Sequence, residues 1–143
     1  MMLSRGLIVS AAIAVGCSGS SGSSNPIVGT WTTADTVGTA TFTETVDLNA
    51  DGTLVVTLTA ASASCSGTET TTGYTWAATA ASITISGTPA CSGAITCGTL
   101  SDACSDSTSL KSAACTYTLS NNNDTLALTA CTGIDDLTFT RGS

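Results

Sequence analysis

The chain has no histidine, a single lysine (Lys111) and charged residues at only 9% of its positions. Each shortage excludes something. Without histidine the commonest general base and metal ligand is missing. With three Lys and Arg against ten Asp and Glu, a net charge of -7, there is no basic footprint for phosphate, which argues against nucleic acid. The same balance argues against the domain lying on an anionic lipid surface. No Cys-x-x-Cys occurs, so a zinc cluster has no template. The apolar run over residues 6–15 is too short to cross a bilayer as a mature helix.

What remains is mostly Thr, Ser, Ala and Gly, with aromatic side chains at 4%. A length of 143 residues suits one domain with a real core. Threonine, the commonest residue, tolerates the exposed face of a pleated sheet, so the composition fits a β-rich extracytoplasmic domain. The scattered acids describe a solvated surface.

Residues 1–16 stand apart from the fold. Arg5 supplies a positive start, an apolar core follows, and small residues lead into Ala14, Val15, Gly16 and Cys17. This order resembles the lipobox of bacterial lipoproteins, in which a signal peptidase cuts before a cysteine that then carries diacylglycerol. Gly16 and Cys17 match that pattern; Ala14 departs from it, since the family prefers Leu there. The resemblance implies cleavage before Cys17, acylation of its thiol and amino group, and an address in the bacterial envelope, at the outer membrane. Residues 17–26 then form the lipidated cysteine and a Gly/Ser tether ending at Pro26. Its eight residues before Pro26 span roughly 16 Å.

From residue 27 the hydrophobic period is two. Over residues 39–48, Ala40, Phe42, Val46 and Leu48 share one face and four threonines the other. A turn signal at residues 49–52 leads into Leu54, Val56 and Leu58, and a hairpin pairs Leu48 with Leu54 and Val46 with Val56. Short strands are expected around Tyr74 and Trp76 and around Ile83 and Ile85. Residues 87–111 read as a long irregular loop with a helical turn at residues 100–103. Tyr117 and Leu119 face Leu126 and Leu128 across a tight turn at Asn122 and Asn123. Leu137, Phe139 and Arg141 complete the alternation.

The expectation is therefore all-β: an antiparallel up-and-down meander of about eight short strands over residues 27–143. Gly29 and Trp31 entering the first strand, with Arg141 after the last, resemble the lipocalin-like branch of the calycin β-barrels. The resemblance implies a small barrel in which Arg141 packs over Trp31, with Gly29 beside them, and closes one end.

Six cysteines lie in the body: Cys65, Cys91, Cys97, Cys104, Cys115 and Cys131. In an exported domain they read as disulfides. The leucine register sets Cys115 against Ala130 and so disfavours a bridge to Cys131 unless a bulge intervenes. Cys97–Cys104 fits sterically inside the long loop.

Catalysis finds little support. Asp135 and Asp136 read as turn formers, and Asp102 and Asp106 lack the spacing of a calcium loop. No cofactor or metal is expected. Glu44 is unusual, a carboxylate on an inward face between Phe42 and Val46. Two function classes follow. One is a non-catalytic binder of a small lipophilic ligand, with a pocket among Phe42, Glu44, Val56, Tyr74, Trp76 and Tyr117, away from the plugged end. The other is a surface module with a filled interior that presents itself to a protein partner.

Overall fold

The computed structural model describes residues 25–98, 100–102 and 112–142. The leader, Cys17 and most of the tether lie outside the described residues, as do Cys104, Asp106 and Lys111. The strands are β1 (Gly29–Val37), β2 (Ala40–Leu48), β3 (Thr53–Ala61), β4 (Cys65–Ala78), β5 (Ser82–Cys97), β6 (Leu100–Asp102), β7 (Ser112–Ser120), β8 (Thr125–Thr132) and β9 (Leu137–Arg141). There is no helix among the described residues. Eight of these strands run antiparallel in chain order and close on themselves, β4 pairing β5 and β9 returning to β1. The small β6 adds to the outer part of β5.

Alternation fixes the register. Leu48 opposes Leu54 and Val46 opposes Val56, and Tyr117 opposes Leu128 and Leu119 opposes Leu126. A one-residue slip would turn these side chains to water. The β7–β8 connection differs from the expected two-residue turn. Ser120 pairs Thr125, and Asn121, Asn122 and Asn123 all take left-handed φ of 52°, 58° and 70°. Asparagine tolerates that region, and three in succession make a wider loop.

The largest correction concerns residues 62–102. The loop expected around Cys65 is only three residues long, and β4 then runs for 14 residues and β5 for 16. Residues 100–102 are a strand, not a helical turn. The hairpin absorbs Pro89 at an irregularity, where Tyr74 pairs Gly87 but Thr72 pairs Ala90. An off-ladder position is where a strand tolerates proline, because its missing N–H is not needed there. Gly73, at φ 84°, forms the β4 side of this bulge, with its backbone against Thr88.

Barrel closure covers only part of these strands. β1 meets β9 at Trp31 and Thr32, and β5 meets β7 at residues 82–86. Beyond those rungs, among the described residues, β1 to β6 continue as an open sheet. Two cores result. Trp31, Leu48, Leu54, Tyr74, Ile83, Leu126 and Phe139 fill the barrel, each full burial contributing about 1.5–3 kcal/mol. Ala40, Ala60, Cys65 and Ile95 form a second cluster on the open sheet, packed by Phe42 and Leu58.

Disulfides tie strand to strand. Cys65 and Cys97 are directly opposed across β4 and β5 and are bonded, with Cα atoms 4.0 Å apart. Cys97 is therefore not joined to Cys104. Cys115 is bonded to Cys131 after all. The reason is the bulge that the leucine register did not reveal: Ala114 pairs Thr132 while Thr116 pairs Thr129, and Ala130 takes φ 51°. The extra residue brings Cys131 opposite Cys115. Cys91 is also disulfide-bonded.

Candidate functional site

The barrel is plugged at one end. Ile27 and Trp31 are wholly buried, and the Trp31 indole donates from Nε1 to the Ile27 carbonyl at 2.8 Å. Arg141, the cross-strand partner of Trp31, lays its guanidinium carbon 4.3 Å from the indole centroid. Its Nε donates to Asn123 O, Nη1 to Val28 O and Nη2 to Pro26 O, at 2.9, 3.2 and 2.7 Å. Gly29 makes the room: a β-carbon there would run into Nη1 of Arg141. The glycine, tryptophan and arginine thus form one packed unit.

Above the plug lies a cavity of about 190 Å³. Its wall is apolar except for Glu44, Thr71 and Tyr74, with Val46, Val56, Ile85, Leu128, Leu137 and Phe139 among the carbons. Burial pushes the Tyr74 phenol above its ordinary pKa. Ile134, in the β8–β9 connection, covers one side of the far rim.

Of the six residues expected at the pocket, Glu44, Val56 and Tyr74 stand together on this wall. The other three do not. Phe42 opposes Ala60 on the open sheet and joins the second cluster. Trp76 lies toward the plugged end, where its Nε1 donates to Asn49 O at 3.1 Å and its ring borders a shallow surface depression with Asp51. Tyr117 also points to that end, its hydroxyl donating to Thr79 O at 3.0 Å in the β4–β5 turn. Parity told which face each aromatic takes but not its height along the barrel. Thr71 went unnoticed because a threonine in a threonine-rich strand carries no signal. Asp136 accepts from the Cys131 N–H at 3.3 Å.

Glu44 is the chemically distinctive member. It opposes Thr33 on β1 and Leu58 on β3, two residues above Val46 and two below Phe42. Burial raises its pKa above the ordinary carboxylate range. A half-buried carboxylate among carbons is costly unless something pairs with it. The site can therefore enclose a small apolar body and present one acidic group to it.

No protein-family model, curated protein or solved structure matches this chain.

Proposed function

We propose that this is a membrane-anchored, non-catalytic, lipocalin-like binding protein of the bacterial envelope that holds a small apolar molecule in its barrel. The observation that carries the reading is the cavity of about 190 Å³, walled almost wholly by carbon. An apolar cavity of about 150 Å³ stays dry and takes up a molecule such as benzene. The space here suits a ring or a short chain, not a whole fatty acid. Anchorage rests on the signal, the small residues, Cys17 and the tether occurring in that order, and two or more acyl chains make such attachment stable.

Two measurements test this. A neutral hydrocarbon such as toluene should raise the melting temperature, by the equivalent of about 2.7 kcal/mol at a hundred times its dissociation constant. Val56→Phe, which fills the space, should abolish the effect. Absence of binding would leave the filled-barrel reading. For anchorage, a Cys17→Ser chain should leave the membrane fraction, and its retention there would count against a lipid anchor.

The second reading, a protein-interaction module, has its own support. The outer edge of β1 beyond Thr32 is unpaired among the described residues, and Val37 at its tip is 66% exposed. A free strand edge is a template for a partner's strand.

A further inference from the structure

The proposed pocket leaves one group unexplained. The Glu44 carboxylate lines a cavity of carbon, yet it makes no hydrogen bond and no ion pair within the described residues. Carboxylates in such places are ordinarily matched by a cation or a cluster of donors, because taking a charge out of water costs several kcal/mol, roughly, when nothing compensates it. Here the protein has little to offer. Arg141 is the one Lys or Arg among the described residues. It is held at the opposite end by Trp31 and three carbonyls. The neighbours of Glu44 across the ladder are Thr33 and Leu58, and the next inward residue beyond Leu58 is another acid, Glu69. At the far rim, Asp135 and Asp136 follow Ile134, and both are exposed. Among the described residues, the formal charges that follow Ile134 at the far rim, Asp135 and Asp136, are thus negative. Such a rim draws in cations and repels anions.

We infer that the ligand is a small organic ammonium ion, its apolar body in the cavity and its N–H groups donating to Glu44. This deepens the binding function proposed above and rests on it. The geometry meets two requirements. The body must be no larger than about a substituted ring, since the cavity of 190 Å³ equals roughly six water volumes. The ammonium must sit at one side of the wall, because Glu44 is the one carboxylate among the described residues that line the cavity. A charge-assisted N–H···O bond at a partly dry site is about twice as strong as a neutral one. A neutral hydrocarbon of the same shape leaves Glu44 uncompensated.

Acidity should enter in a defined way. Because burial raises the pKa of Glu44, protonation removes the charge the ammonium needs. Thr33 and Leu58 beside it do not titrate, and Tyr74 on the same wall has its phenol pushed further up by burial, so it stays neutral where Glu44 titrates. Ammonium binding should therefore strengthen as the pH rises through the elevated range of Glu44 and then level off.

The test uses three probes of one shape, benzylamine, toluene and benzoate, titrated calorimetrically into the full chain and into Glu44→Gln. In the native protein benzylamine should bind at least tenfold more tightly than toluene, and benzoate should not bind. In Glu44→Gln the benzylamine-to-toluene preference should fall at least tenfold, and its pH dependence should vanish. Equal binding of benzylamine and toluene by the native protein would overturn the ammonium inference and leave the apolar pocket standing. So would a preference that survives in Glu44→Gln. If none of the three binds, the pocket reading falls and the inference with it.

Discussion

Arg141 stands directly across the ladder from Trp31 and covers its ring at 4.3 Å, while three backbone carbonyls hold the guanidinium in place. One side chain thus joins the first strand, the last strand, the β7–β8 loop and the segment before β1. Arg141→Ala removes a stacking contact of about 0.5–2 kcal/mol and charge-assisted bonds to Asn123, Val28 and Pro26. We expect a loss of about 2–4 kcal/mol, a melting temperature lower by on the order of 10 °C, and a changed Trp31 emission. Arg141→Lys should recover only part, since an ammonium cannot bridge three carbonyls while lying flat on a ring. An unchanged melt for Arg141→Ala would show that the plug is held by Trp31 and Ile27 alone.

The second disulfide offers a cleaner stability measurement. Cys115 and Cys131 close a loop with a sequence separation of 16, worth about 3 kcal/mol in chain entropy. Replacing both by Ala should lower the unfolding free energy by about that amount without releasing β8, because Leu126 and Leu128 remain buried. Denaturant titration of the oxidised proteins reads the difference directly. A double variant as stable as the native chain would mean that the bridge adds nothing.

Much of the fold could be read from the residues, and the unread parts share one cause. The Leu48–Leu54 and Leu119–Leu126 pairs lie where strict alternation of large apolar side chains places them. The upper halves of β4 and β5 have few such side chains. Their inward positions are Gly67, Glu69 and Thr71 facing Ile95, Gly93 and Cys91, so the period-two signal dissolves into glycine, threonine and cysteine. Pro89 then reads as a strand breaker when it marks a bulge. The cavity was half legible: Glu44, Val56 and Tyr74 lie on its wall. Phe42, Trp76 and Tyr117 were misplaced because alternation gives a face but no height: Phe42 lies beyond the rungs where β1 meets β9, and Trp76 and Tyr117 lie toward the plugged end.

At Gly73 the backbone is left-handed and faces Thr88 so closely that an added methyl would run into its carbonyl oxygen. Gly73→Ala must therefore open the β4–β5 bulge. We expect a cost of about 2 kcal/mol or more, with strain and lost pairing combined. Because Tyr74 is the next residue, hydrocarbon binding should weaken too. Hydrogen exchange at residues 72–75 and 86–90 would locate the damage, and protection as in the native protein would contradict it.

Glu44 makes the stability depend on pH in a predictable sense. Its pKa is higher in the folded protein than in the unfolded chain, so the folded state binds that proton more tightly. Stability contributed by the neutral acid is present at low pH and is lost as the pH rises through the elevated range. Glu44→Gln should therefore stabilise the protein at about pH 7 and have little effect at about pH 4, each tenfold shift in acidity being worth about 1.4 kcal/mol. Asp51 acts in the opposite sense, since the hydroxyl and N–H of Thr53 lower its pKa. It is common to both proteins and cancels in the comparison. Equal urea midpoint shifts at the two pH values would show that Glu44 pays no penalty for its place.

Residues 25–27 and residue 142 meet at the same end of the barrel: Arg141 binds the carbonyl of Pro26, and the Gly142 N–H binds that of Thr30. Anything fastened ahead of Asn25 or behind Gly142 thus hangs from the floor of the cup. The proposed anchor at Cys17 would therefore attach at the end opposite the opening, and the proposed guest would exchange with the surrounding fluid. The same layout leaves the opening clear when the protein is immobilised or fused through either tail. It also sets the two tails close enough for a short splice, with new ends cut in the rim loops.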